Sequence, residues 1–157
     1  MLFRSRAPKR AELGLGAQIP FTGADAWTAY ELSWLNARGK PQAAIARVTV
    51  PCESPHIIES KSFKLYLNSY NGTRFASASD VRDRLLADVN AAIWRGSAMQ
   101  ASASVRLTLP ENFGAEGFHL SQLKNEAETS PPVPDKDKIG NRGFDAKYSF
   151  RPKMKRK

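Results

Sequence analysis

Between Trp27 and Leu35 the chain reads WTAYELSWL, an alternation that places Thr28, Tyr30, Leu32 and Trp34 on one face. A period of two predicts a strand. The turn-rich NARGKP follows, and QAAIARVTV (42–50) resumes the strand pattern with β-branched residues towards its end. So short a connection predicts an antiparallel hairpin. Pro51 and Pro55 in PCESPHII hold the next segment in an extended loop. From Glu59 the period lengthens. Phe63, Tyr66, Leu67 and Tyr70 fall at i, i+3, i+4 and i+7, the spacing of a helix with one buried stripe, and Asn71-Gly72 is a stop signal. A second helix is announced by Ser77 and Asp80 in an S-x-x-D box, with Val81, Leu85, Val89 and Ile93 on one face and Gly96 at its end. ASVRLTL (103–109) alternates again through Val105, Leu107 and Leu109, and predicts a third strand. The resulting order is strand, strand, helix, helix, strand, an α+β chain.

The two ends lack such patterns. Residues 1–25 carry Gly14, Gly16, Pro20 and Gly23 without periodicity, and 1–19 read as a flexible basic arm. After Leu123, KNEAETSPPVPDKDKIGNRG is polar and proline-containing, so 124–157 read as a disordered basic tail in which FDAKYSF could add one weak strand. The compact module is therefore expected over residues 20–123.

Composition narrows the function classes. A chain of 157 residues, 41% hydrophobic and 25% charged, suits one globular domain. No apolar run approaches the roughly 20 residues of a membrane span, and no apolar segment follows the basic N-terminus as in a secretory signal. Neither a membrane nor an export route is expected, and the cytoplasm is the default compartment. The single cysteine, Cys52, excludes an internal disulfide and a cysteine-based metal cluster. The net charge of +9 attracts phosphate-bearing partners, but much of the excess lies in the two termini. Terminal basic arms bind nucleic acid non-specifically, and they also serve as solubilising tails. A dedicated nucleic-acid role is not expected.

The densest chemistry lies in IESKSFKLYLNSYN, residues 58–71. Glu59 stands at the mouth of the first predicted helix, Ser60 at its expected N-cap and Lys61 in its first turn. The first N–H groups of a helix lack internal partners and carry positive potential, which makes an anion site. Lys61 and Lys64, three apart, could both reach one phosphate. A carboxylate such as Glu59 can accept two parallel hydrogen bonds from the N–H edge of a guanine-like base. The same residues would equally serve as a solvated helix start.

YELSWLNARGKPQ (30–42) followed by IIESKSFKLYLNSYNGTRF (57–75) resembles the N-terminal half of the two-module NADPH-dependent 7-cyano-7-deazaguanine reductases. The signature of that family reads Glu, Ser or Leu, Lys, Ser or Gly, a hydrophobic residue, Lys, Leu or Tyr, and an aromatic. Glu59, Ser60, Lys61, Ser62, Phe63, Lys64, Leu65 and Tyr66 satisfy every position, and the likeness runs from about Pro20 to Leu123. The resemblance implies a tunnelling fold, four antiparallel strands backed by two helices, and a nitrile reduction in the queuosine pathway of tRNA modification. In that reaction a cysteine adds to the nitrile as a thioimide, an aspartate donates a proton, and two NADPH molecules supply two hydrides. By position, Ile58, Glu59 and Ser60 would contact the deazaguanine, and Ser60 and Lys61 the NADPH. A homo-oligomer or a catalytic second module is the implied partner.

The departures are equally specific. The nucleophilic cysteine, the aspartate and a Phe-His-Glu segment belong to the second half of the family, and none has a counterpart here. Phe118-His119-Leu120 resembles the last only superficially and receives no role. Cys52 is considered as a nucleophile and set aside, because no cation neighbours it in sequence and the nucleophile of the family is not in this loop. No catalytic residue and no metal ligand is assigned, and His56 reads as a loop histidine. The chain is expected to be nearly inactive alone, a half-protein with an unrelated tail or a stand-alone subunit. The alternative is a non-catalytic tunnelling-fold binding or assembly module, or a truncated remnant whose basic tails touch RNA.

Overall fold

A computed structural model describes residues 3–16, 18–114 and 144–152, the last stretch by its backbone alone. In chain order the elements are β1 (Phe3–Ser5), α1 (Ala7–Glu12), β2 (Phe21–Leu35), β3 (Pro41–Pro51), β4 (His56–Ile58), α2 (Ser60–Asn68), α3 (Ala78–Ile93), β5 (Ser104–Thr108) and β6 (Phe144–Pro152). A short 3-10 turn, Pro110–Asn112, follows β5.

β2 and β3 form the predicted hairpin, closed by a turn in which Asn36 Oδ1 accepts from the N–H groups of Arg38 and Lys40. Gly39 adopts φ +81° in that turn, the left-handed conformation in which a side chain is strained. β5 pairs with the far side of β3 and β6 with the far side of β2, giving an antiparallel sheet in the order β5-β3-β2-β6. Four antiparallel strands thus stand beside α2 and α3, the α+β arrangement that the resemblance implies.

The face of β2 differs from the simple alternation. Ala29 pairs with Ala46 but Leu32 with Ala44, so β2 carries one extra residue between them. Such a bulge moves every later side chain to the other phase. Trp27 and Ala29 therefore face the core before it, and Leu32 and Trp34 after it, whereas Thr28 and Tyr30 do not share their face. A single period drawn through Trp34 could not have anticipated this.

The core forms where this face and Ala44, Ala46, Val48 and Val50 of β3 meet the two helices. Helix α3 contributes Val81, Leu85, Val89 and Ile93, all 0% exposed, as its pattern predicts. It begins with the predicted capping box, Ser77 Oγ accepting from the Asp80 N–H and Asp80 Oδ2 from the Ser77 N–H. Its end is tied to β5 by Asn90, whose Oδ1 accepts from the Ala103 N–H at 2.9 Å. Helix α2 contributes Phe63 and Leu67, with Tyr70 just beyond. Tyr66 joins the two helices: it donates to Asp88 at 2.6 Å and, having given up its only hydrogen, accepts from the Tyr70 hydroxyl at 2.6 Å. Burial and Asp88 together push the Tyr66 phenol above its ordinary range.

The expected arm carries elements, and the weak strand allowed for in the expected tail forms. Residues 3–12, read from sequence as an arm, form β1 and α1, and β1 pairs with β4 through Phe3↔Ile58, Arg4↔Ile57 and Ser5↔His56. Within the expected tail, FDAKYSF belongs to a nine-residue strand that pairs with β2 from Ala29↔Phe144 to Phe21↔Pro152. Both associate with remote strands, and no periodicity within a segment reports such long-range pairing. Phe118-His119-Leu120 and residues 124–143 lie outside the described residues. Among the described residues no helix is long and apolar enough to cross a membrane.

Candidate functional site

The signature segment straddles the junction of β4 and α2, where an extended strand turns into a helix. The N-cap is Glu59, not Ser60 as expected, with extended φ and ψ of −90° and 124°. Its Oε1 accepts from the Lys61 N–H at 3.1 Å and its Oε2 from the Ser62 N–H at 2.7 Å. Serine usually wins the cap position by its short reach, but the longer glutamate side chain here curls back over the first turn. Ser60 is displaced to the first helical residue.

This changes the chemistry read from sequence. Two of the donors expected to cradle a phosphate, the Lys61 and Ser62 N–H groups, are engaged by Glu59, so an anion here relies more on side chains. Lys61 is exposed and Ser60 half-buried, and neither side chain has a described protein partner. Glu59 gains fixed geometry in exchange. A carboxylate offers about four lone-pair directions, and the two cap bonds use one on each oxygen. One acceptor per oxygen remains on a half-buried, oriented carboxylate.

Ile58 plays a different part. It is 3% exposed, pairs with Phe3 of β1 and belongs to the core cluster, so its side chain is not available to a ligand. It acts as the anchor that fixes the start of the segment. His56, two residues earlier, accepts no catalytic reading from its contacts. Its Nδ1 lies 3.3 Å from the Ile93 carbonyl oxygen, which can only accept, so this nitrogen carries the proton. The ring also meets Phe3 edge-on. His56 thus ties β4 to the end of α3.

The loop before β4 is held from the other side. Arg6 pairs with Asp25 of β2 and reaches Ser54 Oγ at 3.4 Å, while its N–H donates to the Pro55 carbonyl. Arg10 donates to the carbonyls of Cys52 at 2.6 Å and Ser54 at 3.2 Å. The N-terminal segment is therefore a strap across the 51–58 loop, and the loop delivers Glu59 to its position. Sequence reasoning missed this strap. The available signal was Asp25, a carboxylate two residues before the buried Trp27 and so on its face of the strand, which requires a partner when buried.

Cys52 lies within the strapped loop. It is buried, its N–H donates to the Gly23 carbonyl, and burial with the adjacent Glu53 pushes its thiol up. A neutral, shielded thiol is a poor nucleophile. Iodoacetamide at pH 7.5 should alkylate Cys52 in the folded chain at least about tenfold more slowly than in urea-unfolded chain. Equal rates, read by mass spectrometry, would show an activated thiol.

The family described as nitrile reductase, 7-cyano-7-deazaguanine-reductase N-term, matches residues 2–101, a range that includes the strap as well as the signature. Relatives named NADPH-dependent 7-cyano-7-deazaguanine reductase are similar over most of this chain. The protein of Acidovorax ebreus (strain TPSY) is 57% identical over 136 residues, covering 83% of this chain and 48% of the relative. That of Paracidovorax citrulli (strain AAC00-1) is 55% identical, and that of Verminephrobacter eiseniae (strain EF01-2) 53%, with similar coverage. The chain spans about half the length of the curated relatives it matches. The strapped strand-to-helix junction, its signature and these matches together place the chain in the nitrile reductase family, as a 7-cyano-7-deazaguanine reductase N-terminal module.

Proposed function

We propose that this chain supplies the base- and cofactor-binding half of an NADPH-dependent 7-cyano-7-deazaguanine reductase. The observation that carries the reading is the Glu59 carboxylate, fixed by two helix N–H groups with an acceptor left on each oxygen. The amino and ring N–H groups of a deazaguanine form a parallel donor pair that such a carboxylate accepts in bidentate fashion. Ile58 aligns this edge through its main chain, and Ser60 offers a hydroxyl beside it. Orientation of this kind is the contribution of the module to rate, since a held substrate reacts as part of a unimolecular step.

NADPH fits the remaining groups: the exposed Lys61 ammonium suits a phosphate as a mobile point charge, with Ser60 as a hydroxyl partner. When bound, the cofactor supplies the hydride. The nucleophilic cysteine and proton-donating aspartate of the reaction belong to a second module, with which this one would assemble. The module we propose includes the N-terminal strap as well as residues 20–123, because the strap holds the segment bearing the site. With a neutral thiol at Cys52, the chain alone should show almost no nitrile-dependent NADPH consumption.

Lys61→Ala tests the cofactor role. A charge-assisted bond to phosphate contributes about 1.5–3 kcal/mol, so NADPH affinity should fall roughly tenfold or more in a fluorescence titration. Unchanged affinity would remove Lys61 from the cofactor site. The alternative, an assembly module whose tails touch RNA, predicts RNA affinity that disappears on deletion of residues 124–157, with no NADPH binding at all.

A further inference from the structure

The strap grips the 51–58 loop along its whole length. β1 pairs with its end, from Ser5↔His56 to Phe3↔Ile58, immediately before Glu59. Arg6 takes the middle, its N–H donating to the Pro55 carbonyl. Arg10 takes the start: its Nη2 lies 2.6 Å from the Cys52 carbonyl oxygen and 3.2 Å from that of Ser54. A guanidinium Nη carries two hydrogens and can donate one to each carbonyl, so a single group sets the curvature of residues 52–54. Ser54 passes that curvature on. It is 0% exposed, and its hydroxyl stands 2.8 Å from the Pro51 carbonyl oxygen and 2.9 Å from that of His56, which brings both ends of the loop onto one side chain.

Arg10 occupies this place at an electrostatic disadvantage. It is half-buried, and among the described residues it forms no ion pair with a carboxylate. Burial and neighbouring Arg6 both lower its guanidinium value. The compensation is the pair of carbonyls it holds. The main chain from which it reaches is itself fixed. Its N–H donates to the Arg6 carbonyl at 2.9 Å, and its carbonyl accepts from the Leu15 N–H at 2.8 Å, a turn that Gly14 permits at φ +65°.

Ile58 pins one point of the signature segment to the core, but the direction in which β4 enters is set by residues 52–56. A carboxylate that accepts two parallel hydrogen bonds is sensitive to that direction, because a rotation that keeps one bond breaks the other. We propose that Arg10 is a positioning residue for the base site, acting through the Cys52 and Ser54 carbonyls on the direction in which β4 delivers Glu59. The inference rests on the reading of Glu59 as the acceptor for the base.

Arg10→Met, Arg10→Lys and Lys9→Met in the full chain test it, by titration of 7-cyano-7-deazaguanine and by amide exchange read by NMR. Without ligand, Arg10→Met should speed exchange of the Lys61 and Ser62 N–H groups more than that of Val81–Ile93. Its affinity for the base should fall about tenfold. Arg10→Lys, which keeps the charge without the planar fork, should fall between Arg10→Met and wild type. Lys9→Met removes only an exposed pair with Glu12 from the same helix and should match wild type. Coupling is reciprocal, so the bound base should slow exchange over residues 6–12 of the wild type. Exchange at Lys61 and Ser62 accelerated no more than that of α3, or no protection of residues 6–12 by the base, would overturn the positioning role. Equal affinity with and without Arg10 would remove this inference alone, whereas a wild-type chain that does not bind the base would remove the reading of Glu59 and this inference with it.

Discussion

Asp25→Ala is expected to destabilise the chain by about 3–5 kcal/mol, the usual effect of removing one partner of a buried ion pair. The Arg6 and Asp25 side chains are 15% and 10% exposed, so little water screens the pair. Alanine would leave the Arg6 guanidinium with Ser54 Oγ as its remaining side-chain partner, at 3.4 Å. Its Nε already lacks an acceptor. The strap would then either carry an uncompensated charge or detach, and detachment would bare the 51–58 loop. Urea unfolding should show a lower midpoint with an unchanged slope, and hydrogen exchange should accelerate over residues 3–12. Arg6→Met/Asp25→Leu should recover much of the loss, because a buried pair and an apolar pair of similar size often have nearly equal stability. A loss below about 1 kcal/mol for Asp25→Ala would mean that Arg6 escapes to water at little cost and that the pair does not anchor the strap.

How much of this was readable from the chain depends on whether the cause was local. The stripe of Val81, Leu85, Val89 and Ile93 and the Ser77–Asp80 box are local, and α3 follows them closely. Phe63, Leu67 and Tyr70 likewise mark the buried side of α2. The bulge in β2 is not local. It appears only when Ala29 and Leu32 are matched to Ala46 and Ala44, and it reverses the face of everything before it. β1 and β6 share that character. Phe3–Ser5 is too short to show a period, and it becomes a strand because Ile57 and Ile58 provide its partners.

The signature segment shows both sides of this. Glu59, Ser60 and Lys61 were recognisable as a group because the resemblance is carried by identity and spacing. Their division of labour was not, since statistics favour serine at an N-cap and the structure places glutamate there. The consequence is functional. A Glu59 free in solvent would bind a base weakly, paying side-chain entropy on each encounter. A Glu59 locked by the Lys61 and Ser62 N–H groups is already ordered.

Glu59→Gln separates the cap from the recognition of a base. The amide oxygen can keep only one of the two cap bonds, so folding stability should fall by about 0.5–2 kcal/mol while the chain stays folded. The amide nitrogen, however, presents N–H donors where a guanine-like edge also presents donors. Two charge-assisted bonds of about 1.5–3 kcal/mol each are then lost or replaced by repulsion. Affinity should fall at least about a hundredfold.

The most direct measurement is calorimetric titration of 7-cyano-7-deazaguanine into the wild-type chain and into Glu59→Gln, with thermal unfolding of both as the check on folding. Saturable binding by wild type and its loss in a variant that remains folded at the titration temperature is the predicted result. Equal affinity in the two chains would contradict the account, because Glu59 would then be a helix cap and nothing more.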